Sequence, residues 1–81
     1  MSSIMERTKT IEKRLGKLGE KLKKLRTKAG YKSAETFAYD NELNRVQYWR
    51  MEKGANFTLL SLMRVLDIHK VTLEQFFKGT D

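Results

Sequence analysis

The chain contains no cysteine, no proline and a single histidine, His69, among its 81 residues. Without cysteine it has neither a disulfide framework nor a thiolate metal site. One histidine excludes a His-pair metal motif, so we expect no metal and no other cofactor. The apolar runs are too short to cross a bilayer, and no apolar segment follows the first Met. We therefore expect a cytoplasmic protein that has no membrane partner.

The sequence also has little that suggests catalysis. It contains no Ser–His–Asp arrangement, no paired carboxylates placed for acid–base chemistry and no glycine-rich phosphate loop. A chain of 81 residues forms one small domain with a thin core, which leaves little room for a pocket. We expect neither an enzyme nor a small-molecule substrate. Residues 16–19 match the GXXG loop of an RNA-binding domain, but that loop needs β-strands, and no strand pattern is present.

What the chain has in excess is positive charge, and the excess lies at one end. Lys and Arg total 17 against 10 Asp and Glu, a net charge of +7. Residues 1–30 carry ten basic and three acidic side chains, which accounts for the whole excess. A positive stripe attracts polyanions. On charge alone the partner could be nucleic acid, an acidic membrane surface or an acidic protein.

The hydrophobic pattern is helical. In the first segment apolar residues recur at steps of four and three, which is typical of one helix face: Ile11, Leu15, Leu18, Leu22 and Leu25. We expect this helix to begin near residue 6 or residue 17, because Gly16 and Gly19 each weaken a helix interior by about 1 kcal/mol. It should end at Ala29, since glycine follows and is a common stop signal.

Four shorter helices should follow, each after a residue type that caps helix N-termini: Ser33, Asn44, Thr58 and Thr72. The helix after the second cap runs from Arg45 to Glu52, with Tyr48 and Met51 on its inner face. The last cap and Gln75 have the spacing of a capping box.

These patterns predict an all-α domain of five helices joined by short connections. Residues 17–78 form the domain. Residues 1–16 are a basic N-terminal extension, helical or disordered, in which residues 1–5 fray. Residues 79–81 form a frayed C-terminus.

The stretch from Ser33 to Gly54 resembles the helix-turn-helix of the phage-repressor and Cro-like (XRE-type) DNA-binding family, and residues 17–78 are similar to its whole domain. The positions that match in register are Ala38, Leu43, Tyr48, Met51, Glu52 and Gly54. The resemblance implies a compact λ-repressor-like fold with the helix-turn-helix at helices 2 and 3. It also implies an ion pair between Arg26 and Glu52 that ties the first helix to the third.

In such a domain the outer face of the third helix enters the major groove. Arginine suits guanine, glutamine suits adenine and valine suits the thymine methyl group. The base-contacting candidates are therefore Arg45, Val46, Gln47 and Arg50. The candidates for contacts to the DNA backbone are Ser33, Asn44, Trp49, Lys53, Asn56 and Thr58. For Trp49 the alternative is packing beneath the N-terminal segment.

Four positions depart from the family pattern: Lys32, Ala34, Glu42 and Lys70. Lys32 is an insertion, and Ala34 replaces a frequent glutamine that contacts DNA. Glu42 and Lys70 stand where glycine is frequent, so the turn at Glu42 cannot rely on a residue that adopts the left-handed conformation freely. We expect His69 at the surface or at a helix end.

The resemblance implies a sequence-specific double-stranded DNA-binding regulator, a repressor, that acts as a homodimer on a near-palindromic site. The predicted dimer interface is the apolar C-terminal region: Leu66, Ile68, Val71, Leu73, Phe76 and Phe77. Alternatively, the N-terminal stripe, extended back to Ile4 and Ile11, forms a coiled coil. The competing function is a protein-interaction module of the same fold, such as an antitoxin.

Overall fold

A computed structural model of the protein describes residues 2–79. The five helices are α1 (Ser2–Lys28), α2 (Ala34–Asp40), α3 (Arg45–Glu52), α4 (Leu59–His69) and α5 (Leu73–Phe77), and no strand occurs among the described residues. The predicted five-helix, all-α fold is confirmed. The predicted fraying of Met1, Thr80 and Asp81 lies outside the described residues. Within them, no helix has both the length and the apolar character needed to cross a membrane.

The helix starts follow the predicted capping residues. Each cap has extended backbone angles, and its side-chain oxygen accepts a hydrogen bond from a backbone N–H three residues later, at distances of 2.8–3.1 Å. The caps are Ser33, Asn44, Thr58 and Thr72. Thr72 and Gln75 form both halves of a capping box. These bonds satisfy N–H groups that a helix start leaves unpaired, so they define where α2 to α5 begin.

The first helix is longer than the sequence predicts. It runs unbroken through Gly16 and Gly19, and it includes residues 2–5, which were expected to fray. At Gly19 a Cβ atom would lie 2.5 Å from the carbonyl oxygen of Glu52 and 2.8 Å from that of Met51. The glycine therefore allows α1 to approach the end of α3 closely. Tertiary packing, which the local helix penalty ignores, explains the glycine there.

The core is built by all five helices. The buried apolar residues are Leu22, Phe37, Ala38, Tyr48, Met51, Leu62, Val65, Leu66 and Phe76. Short helices such as α2 and α5 gain their stability from this packing rather than from intrinsic propensity.

Most of the predicted C-terminal dimer interface packs within one protomer. Leu66 and Phe76 are buried in the core, and three further members pack against that core: Ile68, Val71 and Leu73. Of the six residues, only Phe77 is exposed. A small domain has a thin core, so apolar residues that seemed surplus in the sequence are needed to complete it.

In two turns, a residue other than glycine adopts the left-handed backbone conformation. Glu42 has φ 57° and Lys70 has φ 56°, so both positions adopt the left-handed conformation without the freedom that glycine has. The backbone N–H of Leu43 donates to the carbonyl of Ala38 at 2.8 Å, which ties the turn between α2 and α3 to α2. A left-handed non-glycine residue costs about 1–2 kcal/mol, and the hydrogen bonds of the turn offset that cost.

Candidate nucleic-acid interface

The inner face of α3 is anchored in the core. Tyr48 and Met51 are buried, and the Tyr48 ring lies 5.0 Å from the ring of Phe37 on α2. With eight residues, α3 is too short to be a stable helix alone in water. Its orientation is therefore set by the surrounding domain.

A buried ion pair joins α3 to α1. Arg26 Nε donates to Glu52 Oε2 at 2.7 Å and Arg26 Nη2 donates to Glu52 Oε1 at 3.0 Å, with the two side chains only 5% and 7% exposed. Arg26 Nη1 also donates to the carbonyl of Tyr31 at 2.9 Å. The structure thus contains the ion pair that the resemblance implied, and the pair holds α1, the following loop and α3 together.

The Tyr48 hydroxyl completes this network by donating to Glu52. Burial, followed by the hydrogen bond to Glu52, raises the pKa of Tyr48 above its ordinary value. The hydrogen bond to Glu52 raises the pKa of Arg26, although burial opposes this. The arginine therefore stays charged and the tyrosine stays protonated throughout the neutral range.

The opposite face of α3 is exposed to solvent. Its members include all four predicted base-contacting residues, Arg45, Val46, Gln47 and Arg50. Arg45, Val46, Trp49 and Arg50 share one side of the helix, and Gln47 lies at its edge. The structure brings these side chains together on a helix whose other face is firmly packed.

Two side chains that the sequence did not single out contact this face. Glu35 on α2 forms an ion pair with Arg45, at 3.0 Å between Oε1 and Nη1, and Gln47 Nε2 donates to the Ser61 hydroxyl on α4 at 3.2 Å. Both contacts link residues that lie ten or more positions apart. No local sequence pattern could reveal them, because each depends on how the helices pack.

The six predicted backbone-contacting residues are all exposed: Ser33, Asn44, Trp49, Lys53, Asn56 and Thr58. Trp49 is 53% exposed, and the ammonium group of Lys53 lies 5.5 Å from the centre of its ring. This exposure contradicts the alternative in which Trp49 packs beneath the N-terminal segment.

The exposed face is shaped by two shallow concavities that share Val46. One lies between Val46, Arg45 and Trp49 and is bounded by Glu35. The other is lined by Asn44, Val46, Gln47, Arg50, Ala55 and Asn56. The second contains three predicted base-contacting residues and two predicted backbone-contacting residues, so the structure places both kinds of candidate side by side.

His69 lies at the end of α4, as expected, but it is half-buried rather than a surface residue. Its ring is parallel to that of Phe37, with 5.1 Å between ring centres. Its buried Nε2 has no hydrogen-bond partner among the described residues. Burial lowers the pKa of His69. The described residues contain no cluster of three or more acidic, histidine or cysteine side chains suited to a metal ion.

Comparison of the chain with protein-family models, curated proteins and solved structures finds no match. The resemblance to the phage-repressor family therefore stands on the residues of this chain. The functional interpretation depends on the geometry of α3 and its neighbours.

Proposed function

We propose that the protein is a cytoplasmic transcriptional regulator, a repressor, that binds double-stranded DNA sequence-specifically as a homodimer. In this proposal α2 and α3 form the helix-turn-helix, and the exposed face of α3 enters the major groove. The observation that carries it is the contrast between the two faces of α3. One face is anchored by Tyr48, Met51 and the buried ion pair, and the other presents two arginines and a glutamine to solvent.

The exposed side chains suit base edges. Arginine can donate two hydrogen bonds to guanine, glutamine can bond adenine in both directions, and valine can contact the thymine methyl group. The ion pair between Arg45 and Glu35 does not prevent this, because its side chains are 60% and 72% exposed. Exposed pairs contribute at most about 1 kcal/mol, so Arg45 can exchange Glu35 for a guanine edge.

The rest of the surface supports contacts to phosphate. Lys53, Asn56 and Thr58 follow α3 directly and are exposed, while Ser33 and Asn44 precede α2 and α3. Contacts of this kind position a domain on the duplex without selecting a sequence. The net charge of +7 adds a general attraction to DNA.

Selection of binding sites from random duplex DNA tests the proposal. We expect the wild-type protein to enrich a site with two-fold symmetry. Arg45→Ala should relax the preference at one base pair in each half-site, with a loss of about 1–3 kcal/mol of discrimination. Arg7→Ala, which removes an exposed arginine near the N-terminal end of α1, is the matched control and should leave the base preference unchanged. Failure to enrich any site would overturn the proposal. If Arg45→Ala instead weakens binding to all sequences equally, Arg45 contacts phosphate rather than a base.

The salt dependence of binding to non-specific DNA is a second test. Each neutralised phosphate should add about 0.9 to the slope of log affinity against log salt concentration. Lys53→Gln should reduce that slope by about 1 and should weaken binding to all DNA sequences equally. A flat dependence would show that phosphates are not contacted.

A further inference from the structure

A shallow groove lies on the surface between α1 and α5. Its floor is apolar and is formed by Leu25 on α1, Val71 just before α5 and Phe76 on α5. The volume of this α1–α5 groove is about 230 Å³. Pockets that enclose small molecules hold about 300–1,000 Å³. The groove therefore fits one or two apolar side chains of a partner rather than a whole small molecule.

Three lysines of α1, at steps of three and four, line one edge of the groove: Lys21, Lys24 and Lys28. Lys21 is used within the protomer, because its ammonium group donates to the carbonyl oxygens of Phe76 and Lys78, the latter at 2.8 Å. It holds the end of α5 against α1. Lys24 and Lys28 are exposed, and their ammonium groups form no ion pair or hydrogen bond with the described residues. Two positive charges thus remain available beside the apolar floor.

The opposite edge of the groove carries no charge that could neutralise these lysines. Among the described residues, none that lines the groove is acidic. The polar residue on the α5 side is Gln75, whose side-chain oxygen accepts a hydrogen bond from the backbone N–H of Thr72 at 2.9 Å. A positive edge, an apolar floor and a neutral edge together suit a partner that presents carboxylates next to an apolar side chain.

We propose that the α1–α5 groove binds an acidic amphipathic helix that belongs to a different protein. Lys24 and Lys28 lie about 6 Å apart along α1, which is also the spacing of two carboxylates four residues apart on a bound helix. The apolar face of that helix places a side chain such as leucine on the floor, in the way that helices dock into apolar grooves. Nucleic acid has phosphates but no aliphatic side chain for a recessed floor, and the surface of a bilayer is too flat to enter it.

The groove is separate from the proposed DNA-binding face. α3 contacts α1 closely at Gly19 and forms its ion pair with Arg26. These two positions lie about half a turn around the helix from Lys24 and Lys28. A partner in the groove leaves α3 uncovered, so this proposal does not depend on the proposed function.

Fluorescence anisotropy of a labelled synthetic peptide, titrated with the full chain, measures the binding. The probe is a helical peptide with blocked ends, in which leucines recur at steps of three and four and glutamates flank them. We expect the wild-type protein to bind it in the micromolar range, and more weakly at high salt. Two matched probes, with glutamine in place of every glutamate or alanine in place of every leucine, should each bind at least about tenfold more weakly.

The double variant Lys24→Gln with Lys28→Gln tests the two charges. An exposed ion pair contributes up to about fivefold in affinity, so losing two should weaken binding about tenfold. Lys9→Gln with Lys13→Gln is the matched control, because it removes two exposed lysines, also four residues apart, from a part of α1 outside the groove. At physiological salt this control should change the affinity by less than about twofold, since charges more than about 8 Å from the bound peptide are screened.

Gln75→Glu tests the other edge without removing any lysine. The new carboxylate can still accept the N–H of Thr72, so the capping box and the circular dichroism spectrum should be preserved. Repulsion should weaken binding of the glutamate peptide by about threefold or more. Binding of the glutamine peptide should not change.

Three results would each overturn the proposal: no binding of the glutamate peptide by the wild-type protein, equal binding of either matched probe, or equal losses in the two lysine double variants. A wild-type protein that binds phosphatidylglycerol vesicles through Lys24 and Lys28 but does not bind the peptide would overturn it as well. None of these results bears on the selection of DNA sites, which tests the α3 face.

Discussion

The buried pair between Arg26 and Glu52 makes the sharpest prediction about stability, because the protein also contains an exposed pair of the same chemistry. The pair between Arg45 and Glu35 has a similar distance, 3.0 Å against 2.7 Å, but its side chains are more than half exposed. We expect the two pairs to behave differently in double-mutant cycles. The buried cycle uses Arg26→Met and Glu52→Gln, and the exposed cycle uses Arg45→Met and Glu35→Gln.

The expected magnitudes follow from solvation. Removing one partner of a buried pair leaves an uncompensated charge and costs about 3–5 kcal/mol. That is a large part of the about 4–12 kcal/mol expected for a chain of this size. The double variant has no buried charge left, and the amide oxygen introduced by Glu52→Gln can still accept a hydrogen bond from the Tyr48 hydroxyl. It should therefore be more stable than the sum of the two single losses predicts, by about 3 kcal/mol or more. The exposed pair should show a coupling below about 1 kcal/mol.

Urea unfolding followed by far-ultraviolet circular dichroism measures these values. The wild-type protein and the six variants of the two cycles should be compared at one pH and one salt concentration, with m-values checked for two-state behaviour. If the buried cycle is additive within the usual error for independent sites, the ion pair does not couple α1 to α3. Strong coupling in the exposed cycle would also contradict the reasoning, because it would show that exposure does not decide the strength.

Two further predictions test the packing of α1 and α4. Gly19→Ala should destabilise the fold, because its Cβ would meet the carbonyl oxygen of Glu52 at 2.5 Å, whereas Gly16→Ala meets nothing within 4 Å and should stabilise α1 by about 1 kcal/mol in the same urea assay. Burial lowers the pKa of His69 below its ordinary value of 6.5, so the unfolded chain binds the proton more readily. The contribution of His69 to the free energy of unfolding should be complete above pH 6.5 and should fall as the pH drops below 6.5. His69→Gln should remove this part of the pH dependence. Nuclear magnetic resonance titration of the single imidazole would contradict the reasoning if its pKa were not lowered.

The sequence was sufficient to predict the fold class and the start of each short helix. The signals were local: a capping side chain followed by apolar residues at helical spacing. Ser33, Asn44, Thr58 and Thr72 cap helices as expected because the hydrogen bonds involved span only three residues. The exposed face of α3 was also predictable, since the inward positions of Tyr48 and Met51 determine which side chains point away from the core.

The errors arose where tertiary contacts override local rules. Gly19 suggested a helix boundary, but it marks a close approach between α1 and α3. Leu66 and Phe76, two residues of the predicted interface, are buried in the core of the protomer. Glu35 and Ser61 escaped notice because their contacts with α3 depend on the packing of α2 and α4. To predict these contacts one must know which segments meet in space, and local sequence patterns do not carry that information.

The first helix determines how α3 is held. Arg26 forms the buried ion pair with Glu52, and Gly19 lies so close to the end of α3 that an added Cβ atom would meet the carbonyl oxygen of Glu52. A Cβ atom added at Gly54, just after α3, would lie 3.1 Å from the Cα atom of Gly16. Because all of these contacts lie at the C-terminal end of α3, α1 holds the orientation of α3 from that end.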